Sequence, residues 1–143
     1  MSLQTYLRSA YGAEAVKLTS SYSRCLEKLA KFRNHVAFSA RCKKEELVPP
    51  SLRIRTPIDT LEGRRIADRA SRQFLNERLR VGNYKLRRLE EERKWSELGL
   101  RRILSEQDYE RFDHLTKDKA ERTFLRTRER QQDKFQRFVR QDQ

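Results

Sequence analysis

Residues 33–60 read RNHVAFSARCKKEELVPPSLRIRTPIDT. An amphipathic helix stops in this stretch, a proline-bounded arm crosses, and a second helix begins. Pro49-Pro50 cannot donate to a helical ladder, and proline pushes the residue before it out of the α region. Beyond them, Leu52, Arg53, Ile54 and Arg55 alternate apolar and basic. An extended arm with that alternation turns Leu52 and Ile54 one way and Arg53 and Arg55 the other. A lone strand of this length makes no sheet, so the arm is read as a crossover packed on the first helix.

Upstream, residues 1–12 read as a flexible lead-in ending at Gly12. From Ala13, the residues Leu18, Tyr22, Cys25, Leu29, Phe32, Val36 and Ser39 recur at alternating steps of four and three, a heptad seam. No Pro or Gly interrupts residues 13–48. Burying each large side chain stabilises by roughly 1.5–3 kcal/mol, so this seam needs a partner helix.

Downstream, Asp59 followed by Glu62 gives a capping-box pattern. The second helix runs over 60–98 with a stripe of Ile66, Ala67, Ala70, Phe74, Val81, Leu86 and Leu89. Gly82 costs about 1 kcal/mol relative to alanine in mid-helix and marks a bend or close packing. Trp95 reads as an anchor at the end of this helix. Gly99 reads as a C-cap or hinge, and Ser105 with Asp108 as the next N-cap. A third helix over 106–140 carries Tyr109, Phe112, Leu115, Ala120, Phe124, Phe135 and Phe138, with a thin, polar stretch between Thr116 and Lys134. The predicted fold is all-α: an antiparallel, coiled-coil-like hairpin of long helices over 13–98, joined by an extended arm at 47–59. A turn and a charged C-terminal helix follow over 99–143.

The 143 residues carry a net charge of +13 and 38% charged residues against 36% hydrophobic. The excess is spread, +5 over 1–46, +1 over 47–60, +4 over 61–98 and +3 over 99–143. Arginine dominates, 24 Arg to 10 Lys, and its planar fork binds phosphate oxygens in pairs. A spread arginine excess points to a polyanion, most often nucleic acid. The competing reading is a solvated helix face of i,i+4 Arg–Glu pairs. No run of about 18 apolar residues is present for a membrane span, and the first residues lack the apolar core of a secretory signal. Two cysteines and no signal suggest a reducing compartment, nucleus or cytoplasm.

No residue pattern suggests catalysis, a cofactor or a small-molecule substrate. There is no CxxC. His35 and Cys42 are two helical turns apart, about 10.5 Å of rise, too far to share an ion whose ligands lie near 2.0–2.3 Å. The cysteines read as packed thiols, and no glycine-rich phosphate loop or GxSxG is found. Tyr6, Tyr11 and Tyr22, near Arg8 and Arg24, are candidates for base stacking but read more simply as packing residues.

What remains is basic surface. Arg41, Lys43 and Lys44 end the first helix, Arg53 and Arg55 lie on the arm, and Arg64, Arg65, Arg69 and Arg72 begin the second helix. The crossover is expected to bring these groups to one end of the hairpin as a phosphate-contacting patch. The alternative is an assembly module, in which the seam of Leu18, Tyr22, Leu29, Phe32 and Val36 pairs with another chain, including a second copy.

The 33–60 stretch, the following EGRRIADRASRQFLNERL and the distal FLRTRERQQDKFQRF resemble the region upstream of the reverse transcriptase in Penelope-like retroelements, with an arm of the form I/V-P-x-x-L-R-I/V-R-x-P. The resemblance touches Pro49, Pro50, Leu52, Arg53, Ile54, Arg55 and Pro57, with Arg41 and Cys42 beside them. It implies a helical segment without catalysis of its own, engaged with RNA or DNA or in self-association. Neither a YxDD-type polymerase motif nor a GIY-YIG endonuclease motif occurs in the chain.

Overall fold

The computed structural model describes residues 2–54 and 60–142, the side chain of Asp142 excepted. They form four α-helices, α1 (Leu3–Tyr11), α2 (Ala13–Lys44), α3 (Leu61–Ile103) and α4 (Glu106–Asp142), with a short 3-10 turn at Pro50–Leu52. The all-α class, the long antiparallel hairpin and the third long helix are as the sequence predicts.

The lead-in is not loose. Ser2 caps α1 by accepting from the Thr5 N–H at 3.2 Å, and Leu7 is fully buried. Gly12 ends α1 at φ +94° and ψ −179°, a region essentially confined to glycine that costs other residues about 1–3 kcal/mol, and its N–H donates to the Arg8 carbonyl.

The first long helix, α2, stops at Lys44, short of the expected residue 48. Glu46 adopts a left-handed backbone at φ 54°, and the Leu47 N–H closes on the Cys42 carbonyl at 2.8 Å. This is helix-terminating geometry usually supplied by glycine. The helix therefore ends before Pro49 is reached. The arm is a 3-10 turn at Pro50–Leu52 rather than a continuous strand, which breaks the expected alternation. Leu52 is buried while Ile54 is 43% exposed. Thr60, not Asp59, caps α3, its hydroxyl accepting from the Gly63 N–H at 3.1 Å. Arg55, Pro57 and Asp59 lie outside the described residues.

The seam of α2 finds its partners within the chain. Along α3 the pairing is antiparallel: Ser21 meets Ser96, Cys25 meets Glu92, Arg33 meets Glu90, and Val36 lies against Gly82. Along α4 it is parallel: Tyr22 meets Asp113, Asn34 meets Phe124, and Phe38 meets Phe135. Tyr22, Cys25, Leu29 and Ser39 are buried, and Leu18, Phe32 and Val36 half-buried.

Apolar burial concentrates at two poles. One joins Leu7, Tyr22, Leu100, Leu104, Tyr109 and Phe112. The other joins Cys42, Leu52, Leu75 and Phe135. Between them the α2–α4 contact is partly polar: Asn34 is buried, and its amide donates to the Ala30 carbonyl at 2.9 Å, to the Phe124 carbonyl at 3.1 Å and to the Thr127 hydroxyl. This is how the thin stretch of α4 stays helical.

The rotation of α3 differs from expectation. Ser71, Leu75, Gly82, Ser96 and Leu100 face inward, whereas Ile66, Phe74 and Val81 are 60%, 51% and 40% exposed. The buried positions fall to Leu75 and Leu100 and to the small Ser71, Gly82 and Ser96, which let the helices approach, while Ala67, Ala70, Leu86 and Leu89 of the expected stripe are half-buried. Gly99 is neither cap nor hinge, since α3 continues to Ile103. Trp95, read as an anchor, is 75% exposed. Ser105 does cap α4, its Oγ accepting from the Asp108 N–H.

Candidate nucleic-acid interface

The arm pole is built by hydrophobic closure. Leu47 and Val48 pack on the cluster of Cys42, Leu52, Leu75 and Phe135, and the Ile54 N–H donates to the Ser71 hydroxyl at 3.0 Å. These contacts fix the arm against α3 and bring the end of α2 beside it.

Arg41 and Arg53 come together on α4. The Arg41 guanidinium lies 4.0 Å from the Phe135 ring centroid and that of Arg53 lies 5.6 Å from Phe138. Because these rings are three residues apart they share a helix face. For Arg41, a cation–π contact of this kind holds the guanidinium while leaving its edge donors available. The Arg53 Nε also donates to the Val48 carbonyl at 2.9 Å. Lys43, Glu46 and Arg72 line one pocket. Arg65, Arg69 and Arg72 are exposed and fall at i, i+4 and i+7, one face of α3, whereas Arg64 points about 100° away. Lys44 is exposed. Arg55 lies outside the described residues.

Ion pairs among the described residues are few and lie away from this pole. Ion pairs join Arg33 to Glu90, Arg80 to Glu77, Arg93 and Arg101 to Glu97, Lys117 to Asp113 and Arg122 to Asp118. Among the described residues none involves Arg41, Lys43, Lys44, Arg64, Arg65, Arg69 or Arg72. Among the described residues such pairs engage six cations, and others beyond this pole, such as Lys28, Arg78, Lys85 and Arg88, make none either.

Other sequence candidates sit in packing roles. Tyr22 is buried and donates to Asp113 at 2.7 Å. Tyr6 and Tyr11 both donate to Asp108, and the Tyr11 hydrogen bond is the main cause holding the Asp108 carboxyl below its usual range. Burial pushes both cysteine thiols up.

One basic surface escaped the sequence reading. Lys28 and Lys31 of α2 face Lys85 and Arg88 of α3 across Phe32 and Tyr84. The readable signal was a pair of cations three residues apart beside an aromatic on each helix. Their facing one another depends on the antiparallel register.

Fold and surface together define a strongly basic, all-α helical module. No family model, curated protein or solved structure matches the chain. No helix among the described residues is long and apolar enough to cross a membrane.

Proposed function

We propose that this chain is a non-enzymatic nucleic-acid-binding module of the nucleus or cytoplasm, leaning to RNA, which grips phosphates through the arm pole. The observation that carries this is the convergence of cations at the arm pole: Arg41 and Arg53 lie over neighbouring rings of α4, and Lys43 and Arg72 line one pocket beside them. The resemblance to the segment preceding a retroelement reverse transcriptase supports the same reading. Assembly through Leu18, Tyr22, Leu29, Phe32 and Val36 competes with their packing on α3 and α4, so we place binding ahead of self-association.

The test is fluorescence anisotropy with a labelled 20-nucleotide RNA and a DNA duplex over a salt series. Submicromolar binding near physiological salt, with a log–log slope near −0.7 per phosphate contact on a single strand, is expected. Replacing Arg65, Arg69 and Arg72 together by alanine should lower that slope by about 2. An unchanged slope overturns the arm pole as the site.

A further inference from the structure

The groove between α2 and α3 combines two features seldom found together. Its floor is apolar and open: Phe32, Val81 and Tyr84 bound a space of about 690 Å³, continued past Val36 and Gly82 toward Ser39. Its walls are cationic, with Lys28 and Lys31 on α2 and Arg78, Lys85 and Arg88 on α3. No carboxylate is among its lining residues. The nearby Glu77 and Glu90 are engaged by Arg80 and Arg33. The exposed Glu91 lies one turn beyond Arg88, toward Trp95.

The charge selects the occupant. A second copy of this chain, related by a two-fold axis through the groove, brings these cationic walls face to face. The occupant is anionic. The apolar side chains then separate the anionic classes. A docking helix is received by aliphatic seams of leucine, isoleucine and valine. Here the aliphatic lining of Val36, Leu79 and Leu89 is half-buried between the helices, and the groove's most open apolar side chain is the aromatic Tyr84, 56% exposed against 40% for Val81, with Phe74 and Trp95 exposed farther along α3. Cations interleave them, and the Lys85 ammonium already lies 5.6 Å over the Phe32 ring. Aromatic faces between cations are how single strands are held, bases stacked and phosphates neutralised, without sequence readout.

We propose that this groove binds single-stranded nucleic acid, with bases against Tyr84 and Phe32 and phosphates on Lys28, Lys31, Arg78, Lys85 and Arg88. The inference rests on reading the chain as a nucleic-acid binder, and adds a second site and a strand state. Along its length a duplex keeps its base faces stacked on one another and offers none to this floor, so the groove prefers single strands.

The experiment titrates the full chain with a 20-nucleotide oligo(U) RNA and a duplex of equal length, reading anisotropy and the emission of Trp95, the one tryptophan. Tyr84→Ala is expected to weaken oligo(U) binding about 5- to 140-fold, the equivalent of losing one stacked base, with the duplex little changed. Tyr84→Phe keeps the ring and stays within about twofold of wild type. Lys85→Gln with Arg88→Gln lowers the oligo(U) salt slope by about 1.4, two phosphate contacts. All three positions are exposed, so these variants retain the fold, checked by circular dichroism. If the groove variants bind oligo(U) like wild type while the Arg65, Arg69 and Arg72 triple variant loses it, the groove inference is overturned and the arm-pole function stands. If wild type binds neither probe near physiological salt, both fail. If Tyr84→Ala leaves oligo(U) binding intact but abolishes binding of a synthetic helical peptide of glutamates and leucines, the groove takes a protein helix and the inference fails.

Discussion

A Cβ placed on Gly82 would stand 2.9 Å from the Cγ2 of Val36. The two helices meet at a point where α3 has no side chain and α2 has a stiff, β-branched one. Alanine here would gain roughly 1 kcal/mol of helix propensity, but overpacking typically costs about 1–3 kcal/mol. Gly82→Ala is therefore expected to destabilise by up to about 2 kcal/mol, measured as a drop in urea midpoint. Val36→Ala made in the same chain removes the clash, so a double-mutant cycle should show favourable coupling of about 1 kcal/mol or more. Additive effects would refute the close approach.

Gly99 gives the opposite expectation. A Cβ there meets Leu18 at 3.4 Å, ordinary contact, inside a helix that runs on to Ile103. Gly99→Ala should raise stability by up to about 1 kcal/mol. Destabilisation would mean that the α2–α3 approach near Leu18 is tighter than the structure shows.

Asn34 and Thr127 pin α2 to α4 where little apolar surface is available. The Asn34 amide donates to the Thr127 hydroxyl and the Phe124 carbonyl, while the Thr127 hydroxyl donates into its own helix. Asn34→Ala is expected to cost about 0.5–1.5 kcal/mol. A cycle with Thr127→Val should reveal coupling of similar size by chemical denaturation. A buried polar pair of this kind also fixes register, so amide exchange in α4 near Thr127 should quicken more than at either pole.

His35 predicts a pH dependence. Burial lowers its pKa, with Arg78 of α3 and Lys134 of α4 adding to the effect, and Gln131 lies within hydrogen-bond distance of its Nδ1. Because the folded state resists protonation more than the unfolded chain, unfolding takes up a proton as pH falls below the ordinary histidine value near 6.5. Stability should fall from about pH 6.5 downward through the lower folded pKa. His35→Gln should flatten that part of the profile between about pH 7.5 and 5.5, while leaving the steeper acid limb of the carboxylates. An unchanged profile would show that His35 titrates as it does in the unfolded chain.

The three long helices and their order are legible because periodicity and caps are local, whereas α1 reads from sequence as a flexible lead-in. Ser105 capped α4 as read, and Gly82 marked close packing. The failures share a cause. Phe74 and Val81 looked like core because they are large, yet α3 buries Ser71 and Gly82 beneath α2, and only the facing helix decides which stripe is covered. The α2 terminus was assigned to Pro49, but a left-handed Glu46 ended the helix first, a conformation for which glutamate gives no local signal. Arg53 and Arg41 were legible as a basic group. Their seating on Phe138 and Phe135 was not, because α4 returns from more than 80 residues away. The groove cations were hidden for the same reason: Lys28 and Arg88 are neighbours only through the hairpin.

The two thiols lie 17 residues apart on α2, about 25 Å along its axis, far beyond the roughly 7 Å that a disulfide tolerates. Each is buried, and burial raises its pKa, so alkylating reagents can reach neither until the helices part. Cys42 sits in the arm pole and Cys25 against the distal part of α3. The chain thus carries its own pair of clocks. The labelling rate at Cys42 times the release of the arm, that at Cys25 times the parting of the hairpin, and equal rates would mean that the molecule opens all at once.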